Sequence, residues 1–121
     1  YLEKNGFSLI DRGPSNSESV DYPDFAKKVC KDLIDQNVDR GILVCGSGQG
    51  MAMVANKHKG IRAALCNSEE MTELARAHND ANIITLGARF IDEPLALSCV
   101  KKFISTPFEG DRHIQRINKI G

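Results

Sequence analysis

The chain has 121 residues, of which 41% are hydrophobic and 26% charged, a composition typical of one globular domain with its own core. Sixteen basic residues balance sixteen acidic ones, so no overall field favours nucleic acid or an anionic membrane, and we expect neither as a partner. No apolar run reaches the roughly 18 residues that would cross a bilayer, and the four cysteines stand apart without a CxxC pair, which predicts reduced thiols in the cytoplasm.

The first predicted elements are a helix end over residues 1–6 and a short strand over Phe7–Asp11. A polar loop over 13–19 follows, and Asp21 with Pro23 marks the start of a helix with apolar residues at helical spacing. Since neither an N-cap nor an initiator methionine precedes the first helix turn, we expect the single domain over 1–121 to be N-terminally incomplete.

Strands and helices alternate in the remainder of the chain. Strands are predicted over Gly41–Cys45, Ile61–Cys66 and Asn82–Leu86, which makes four with the first. Four helices are predicted between and after these strands. The first covers Met51–Lys57, and the second begins near Ser68 and buries Met71, Leu74 and Ala75. The third begins at Asp92 and buries Leu95, Cys99, Val100 and Phe103, and the last carries Ile114, Ile117 and Ile120 on one side. The alternation predicts a Rossmann-like three-layer α/β/α fold around a mostly parallel sheet, with ligands at the carboxyl ends of the strands.

A glycine-rich turn follows the second predicted strand, where Gly46, Gly48 and Gly50 come directly after Cys45. Such a turn lets a ligand approach the backbone closely, and the N–H groups of the helix start attract an anion. It is not a dinucleotide fingerprint, because no acidic residue ends the next strand, and it lacks the Lys-Ser/Thr pair of a P-loop. The plain alternative is a tight strand-to-helix turn.

Two side chains in this turn could take part in chemistry. The Cys45 thiol is a candidate base or nucleophile, because the nearby N–H groups favour a negatively charged sulfur. Its plain alternative is burial, which is the usual fate of cysteine and which fits Cys30 and Cys99. The hydroxyl of Ser47 could hydrogen-bond a substrate oxygen or could only cap the helix.

Several basic side chains favour a phosphorylated ligand. His78, at a helix end, is a candidate general acid/base, although a histidine there also stabilises the helix by itself. Arg112 and Arg116 share one helix face, which suits a phosphate monoester as well as a solvated surface. Arg89, just after the last predicted strand, is better placed for a ligand, and we interpret His113 as a surface residue.

Seven segments, in this order, resemble the ribose-5-phosphate isomerase B family, which includes the galactose-6-phosphate isomerase subunits. They are SVDYPD at 19–24, RGILVCGSGQG at 40–50, ANK at 55–57, GIRAAL at 60–65, HNDAN at 78–82, GAR at 87–89, and RH at 112–113 with Arg116. The resemblance covers nearly the whole chain and implies a sheet of about five strands. It implies interconversion of ribose 5-phosphate and ribulose 5-phosphate through a cis-enediolate, with no metal and no cofactor.

The resemblance also implies a role for each site residue. Cys45 is the base that moves a proton between C1 and C2, Ser47 stands where many members have Thr, and His78 is the acid/base of ring opening. The residues implied to bind the sugar phosphate are Gly46, Gly48, Gly50, Asn79, Arg89, Arg112 and Arg116. The loop amides would stabilise the enediolate oxygen. Family members are dimers or tetramers with shared active sites, so we expect a homodimer or homotetramer.

One departure and three alternatives remain. The family's first strand, which ends in an Asp-His pair, is missing, so we expect exposed sheet edges and weak activity from this stretch alone. Galactose 6-phosphate and allose 6-phosphate are alternative substrates within the same chemistry. Outside enzymes, a phosphate-ligand-binding module is the alternative, and it would tolerate Cys45→Ala.

Overall fold

Three parallel strands form the middle layer of the computed structural model, which describes residues 2–13 and 22–121. The strands are β1 (Gly41–Cys45), β2 (Ala63–Leu65) and β3 (Ile83–Gly87), and their order across the sheet is β1-β3-β2. Ile83 lies opposite Gly41 of β1 and opposite Ala63 of β2. Every residue of β3 is buried, as expected for a central strand that is covered on both faces.

Five α-helices pack around this sheet in the described part of the chain. They are α1 (Tyr22–Ile34), α2 (Gln49–Ala55), α3 (Glu69–Asn79), α4 (Glu93–Ser105) and α5 (Arg112–Ile120), and a 3-10 helix at Glu3–Asn5 precedes them. Leu43 and Ile83 belong to the core under α1 and α2, whereas Ile84 and Phe103 belong to the core under α3 and α4. Ile83 and Ile84 face opposite sides because side chains alternate along a strand. The predicted three-layer α/β/α fold with a parallel sheet is confirmed.

Side-chain caps fix the start of two helices. The Ser68 side chain accepts a hydrogen bond from the Met71 N–H at 3.1 Å at the start of α3. Asp92 accepts one from the Leu95 N–H at 2.9 Å at the start of α4. These contacts satisfy N–H groups that have no partner inside the helix. Both helix starts were predicted from the same residues.

The predicted strand at Phe7–Asp11 is wrong, because this segment is irregular and has no place in the sheet. Arg12 donates two hydrogen bonds, at 2.8 and 3.1 Å, to the Asp32 carboxylate of α1, which hold the segment against a helix. These bonds lower the pKa of Asp32. The outer edge of β1 therefore has no partner strand among the described residues. A cavity of about 970 Å³ runs along this edge, between the segment, α1 and β1.

The buried face of α3 is rotated relative to the prediction. Ala75 is buried, but Met71 and Leu74 are each 45% exposed. The interior position belongs instead to Arg76, whose guanidinium donates to the Asp80 carboxylate at 2.8 Å and to the Ala81 carbonyl at 2.7 Å. A buried charge with such partners avoids the cost of lost hydration.

β2 is shorter than the predicted strand at Ile61–Cys66. At its start, the Asn56 amide both donates to the Ala63 carbonyl, at 3.0 Å, and accepts from the Ala63 N–H, at 2.8 Å. This side chain therefore takes the place of a neighbouring strand.

The predicted polar loop beyond Gly13 and the predicted capping residue Asp21 lie outside the described residues. Within the described ranges, no helix has the length and apolar character needed to span a bilayer.

Candidate active site

The first half of the candidate site lies at the carboxyl ends of β1 and β3. Cys45 and Gly87, the last residues of the two strands, are paired in register. Beyond them, the Ala88 N–H donates to the Cys45 carbonyl at 2.8 Å, and the Arg89 N–H donates to the Gly46 carbonyl at 3.0 Å. These bonds join the two loops at the edge where parallel sheets bind ligands. We call this group the Cys45 half; it also includes Ser47, Gly48 and Gly50.

The Cys45 thiol differs from the other three in the chain. Cys45 is half-buried, whereas Cys30, Cys66 and Cys99 are buried. Burial raises the pKa of Cys30 and of Cys66, so these thiols stay protonated. The Gly48 N–H is directed at the Cys45 sulfur, at 3.1 Å. An N–H group can donate a hydrogen bond of this kind to a thiolate, and the thiolate is the form of cysteine that acts as a base.

Close packing leaves little room for side chains at the glycines of the loop. Gly48 has a φ of +77°, and a Cβ there would lie 2.6 Å from the Leu65 side chain and 3.1 Å from the Leu86 backbone. A Cβ at Gly46 would lie 3.1 Å from Nε of Arg89. The loop is thus pressed against β2 and β3, with the Arg89 guanidinium directly beside it.

Gly50 and Ser47 complete this half. A side chain at Gly50, in the first turn of α2, would collide with the hydroxyl of Tyr22. The Ser47 oxygen accepts a hydrogen bond from the Gln49 N–H at 3.3 Å, although the N-cap residue of α2 is Gly48. Because this bond uses an oxygen lone pair, the Ser47 O–H can still donate to a ligand.

The second half of the site lies at the amino end of the sheet. α3 starts beyond the carboxyl end of β2 and runs back, so His78 and Asn79, in its last turn, lie where β3 begins. Arg62, immediately before β2, donates from Nε to the Asn79 carbonyl at 3.1 Å and so fixes this helix end. We call this group the His78 half, and it also includes Arg112 and Arg116.

His78 is packed against two residues, Glu109 and His113, that the sequence analysis did not assign to the site. Its ring is stacked on that of His113, with 4.3 Å between the ring centroids and 16° between the planes. The Glu109 Oε1 lies 3.7 Å from Nε2 of each histidine. His113 is only 5% exposed, so its interpretation as a surface residue is wrong. The i, i+4 spacing of Glu109 and His113 across the start of α5 is the signal that could have indicated this cluster.

The environment of His113 disfavours its charged form. Burial is the main cause that lowers its pKa, and repulsion from His78 and Arg112 lowers it further. Glu109 acts in the opposite direction and raises it. His113 therefore meets His78 as a neutral aromatic ring near neutral pH.

The two predicted phosphate arginines of α5 follow directly on this cluster. Arg112 and Arg116 are both exposed and are one helical turn apart. Arg89, by contrast, belongs to the Cys45 half. The five residues of β3 lie between the two halves, which is about 16 Å at roughly 3.3 Å per residue. The structure thus assembles two groups of predicted site residues and does not bring them together within one chain.

The described ranges contain one group of side chains that could hold a metal ion, which consists of His78, Glu109 and His113. Their ligand atoms lie within 4.8 Å of one another. The two imidazoles, however, are nearly parallel and stacked, so the lone pairs in their planes do not converge on one ion at the roughly 2.0 Å that zinc requires. The arrangement fits ring stacking better than metal binding, and the metal-free site stays a prediction.

Comparison with known proteins places the chain among sugar-phosphate isomerases. The sequence profile of the ribose/galactose isomerase family matches residues 1–120. Ribose-5-phosphate isomerase B of Escherichia coli is 39% identical over 120 residues, which cover 99% of this chain and 80% of that protein.

Two crystal structures agree with this comparison. A ribose 5-phosphate isomerase of Thermotoga maritima matches with a TM-score of 0.97 and 51% identity, over 99% of this chain and 83% of that one. Ribose-5-phosphate isomerase B of Mycoplasma genitalium, with bound ribulose-5-phosphate, matches with a TM-score of 0.94 and 42% identity, over 98% and 80% of the two chains.

Proposed function

We propose that this chain, which belongs to the ribose/galactose isomerase family, interconverts ribose 5-phosphate and ribulose 5-phosphate. The observation that carries the proposal is the half-buried Cys45 thiol, which accepts a hydrogen bond from the glycine loop at the ligand-binding edge of a parallel sheet. A thiol held in this way can act as a base, and a phosphorylated sugar is the substrate that the three arginines fit.

The reaction starts with opening of the sugar ring. His78, as acid/base, takes the proton of the O1 hydroxyl and gives one to the ring oxygen, which leaves an aldehyde at C1 and a free O4 hydroxyl. Asn79 is its neighbour in the chain and contacts the sugar.

The isomerisation itself moves one proton. The Cys45 thiolate removes the hydrogen from C2, and the electron pair moves into a C1–C2 double bond with the negative charge on O1. The Ser47 hydroxyl and the N–H groups of the loop stabilise this enediolate. The O2 proton passes to O1, the thiol returns its proton to C1, and a carbonyl remains at C2.

The phosphate is remote from these bond changes. Guanidinium groups bind phosphate through paired hydrogen bonds, which suits the exposed Arg112 and Arg116 on one face of α5. Arg89, beside Gly46, supplies positive charge on the Cys45 half. Together these residues anchor the substrate while C1 and C2 react.

Two copies of the chain complete the site in this proposal. The Cys45 half and the His78 half lie at opposite ends of the sheet. A complete site therefore needs the Cys45 half of one copy to face the His78 half of another. A two-fold axis makes both sites of such a homodimer equivalent, and a homotetramer repeats the arrangement. Ile114 and Ile120, which are 48% and 63% exposed, give α5 an apolar surface for the second copy beside Arg112.

The cellular setting follows from the substrates. Ribose 5-phosphate and ribulose 5-phosphate are intermediates of the pentose phosphate pathway, so we place the enzyme in the cytoplasm. The four unpaired thiols, one of which has to stay reduced to act as a base, are compatible with a reducing compartment.

Proton NMR of ribose 5-phosphate in D₂O tests the proposed activity. We expect ribulose 5-phosphate to accumulate and deuterium to enter at the reacting carbons, and we expect Cys45→Ala to remove both signals while sugar-phosphate binding persists. Turnover that is unchanged in Cys45→Ala would contradict the role of the thiol. Turnover of six-carbon sugar phosphates alone would overturn ribose 5-phosphate as the substrate.

A further inference from the structure

We propose that His113 and Glu109 are positioning residues that hold the His78 imidazole for ring opening. This inference rests on the isomerase function proposed above. Neither residue needs to touch the substrate, because both act on His78.

The first support is the shape of the cluster. His78 lies in the last turn of α3, where its side chain is 36% exposed and has little of its own helix to pack against. The His113 ring covers one face of the imidazole at 4.3 Å between centroids. Stacked aromatic rings at this distance attract each other, and the contact restricts rotation of the His78 ring.

The second support is that the residues behind His78 are fixed in place. The Glu109 N–H donates to the Ala77 carbonyl at 2.9 Å, and Arg76 donates from Nε to the Thr106 carbonyl at 3.1 Å. These two bonds attach the segment between α4 and α5 to the end of α3. His113 is itself buried, so its ring is held by the fold and can serve as a support.

The third support is the placement of the carboxylate. Glu109 Oε1 lies 3.7 Å from Nε2 of His78, slightly beyond hydrogen-bond distance. When His78 takes up a proton during ring opening, a small movement closes this gap to a charge-assisted hydrogen bond. Glu109 thus stabilises the imidazolium and orients the ring, as carboxylates do for catalytic histidines elsewhere.

The test separates ring opening from proton transfer. Ribulose 5-phosphate is open-chain, because its C5 oxygen carries the phosphate and cannot close a five-membered ring onto C2. Exchange of its C1 hydrogen with D₂O therefore needs Cys45 and the phosphate-binding arginines but not proton transfer by His78, whereas conversion of ribose 5-phosphate needs ring opening first. Both rates are measured by NMR on the same oligomeric enzyme.

We expect His113→Ala to lower kcat for ribose 5-phosphate by roughly 10- to 100-fold, as a misplaced catalytic group does, with little change in KM. Exchange from ribulose 5-phosphate stays within about 2-fold of the wild-type rate. His113→Phe keeps an aromatic face against His78 and restores most of kcat. A His113→Phe enzyme as impaired as His113→Ala would overturn the stacking role.

Glu109→Gln tests the carboxylate without risk to folding, since the Glu109 side chain is 57% exposed. The matched control is Glu73→Gln on α3, whose carboxylate faces Lys102 at 3.5 Å, away from His78. We expect only Glu109→Gln to slow conversion of ribose 5-phosphate. Equal rates for the two variants, or equal losses in conversion and exchange, would overturn the inference. A wild-type enzyme that is inactive in both assays would overturn the proposed function itself.

Discussion

Exposure and one hydrogen bond distinguish the Cys45 sulfur from the other thiols of the chain. We expect iodoacetamide at neutral pH to alkylate Cys45 first, because Cys30 and Cys66 have raised pKa values and are buried. Mass spectrometry of the digested protein identifies the modified residue, and ribose 5-phosphate should slow the modification. Labelling of Cys66 at a similar rate would contradict this assignment, and Cys45→Ser serves as the control.

We expect His113 to make the stability of the fold depend on pH. Its pKa in the folded chain is lowered, first by burial and then by repulsion from His78, Arg112 and Arg116, against the attraction of Glu109. At this position the unfolded chain therefore binds a proton more readily than the folded chain does. As the pH falls below the usual histidine pKa of about 6.5, the free energy of unfolding decreases. The loss ends once the pH is below the lowered pKa of the folded state.

Urea unfolding at pH 7.5 and at pH 5.5 measures this effect. We expect the wild-type protein to lose more unfolding free energy between the two conditions than His113→Phe, which has no proton to bind at this position. An identical loss in both proteins would show that another group is responsible.

At the scale of elements, the turn between β1 and α2 depends on a glycine that tolerates no side chain. Gly48 and Gly60 have similar φ values, +77° and +86°, but only Gly48 is crowded, whereas a Cβ at Gly60 would meet nothing within 4 Å. Both alanine variants carry a backbone strain of about 1 kcal/mol. We expect Gly60→Ala to lower stability by this amount and to keep kcat, and Gly48→Ala to lower kcat by roughly tenfold or more through displacement of Cys45. Similar kcat values for the two variants would contradict the assigned packing.

In the proposed reaction, the arginines of α5 bind a part of the substrate that does not react. We expect Arg112→Ala to raise KM for ribose 5-phosphate at least several-fold with a smaller effect on kcat, because a phosphate contact stabilises the bound substrate and the transition state alike. Lys119→Ala, which removes an exposed charge from the same helix, is the control. Steady-state kinetics check both variants, and a change confined to kcat would refute a phosphate contact.

The sequence predicts helices and strands that are marked by a nearby capping residue or apolar run. It does not predict contacts between segments that are distant in the chain. Ser68 and Asp92 begin their helices as capping residues should, and the apolar run before Cys45 is a strand. The Phe7–Asp11 segment has strand-like residues, but a strand also needs a neighbour to pair with, and no local pattern reports one.

The candidate site likewise has one part that the sequence predicts and one part that it does not. The glycine loop around Cys45 is one contiguous stretch of sequence, so its geometry followed from the motif. The cluster of His78, Glu109 and His113 brings together two segments that are about 30 residues apart, which a periodicity argument cannot detect. Apolar spacing favours burial of Met71 and Leu74, but it cannot show that the Arg76 guanidinium finds hydrogen-bond partners in the interior, and both apolar side chains are exposed.

At the scale of the whole molecule, the direction of α3 decides where chemistry can occur. The helix carries His78 away from the sheet edge that holds Cys45, so we expect only a second copy of the chain to bring the two groups together. Activity should then fall on dilution below the dissociation constant of the oligomer. The exposed isoleucines of α5, which the sequence predicted as one apolar side, fit this arrangement.

Mixing two inactive variants tests the shared site most directly. In a mixed dimer of Cys45→Ala and His78→Asn, one site carries both defects and the other is intact, so random exchange of subunits should restore roughly a quarter of the wild-type activity. The assay is the conversion of ribose 5-phosphate, measured before and after the variants are allowed to exchange subunits. Recovery of activity is the predicted result. A mixture that exchanges subunits, as shown by mass spectrometry, and stays inactive would contradict a site built from the Cys45 half of one chain and the His78 half of another.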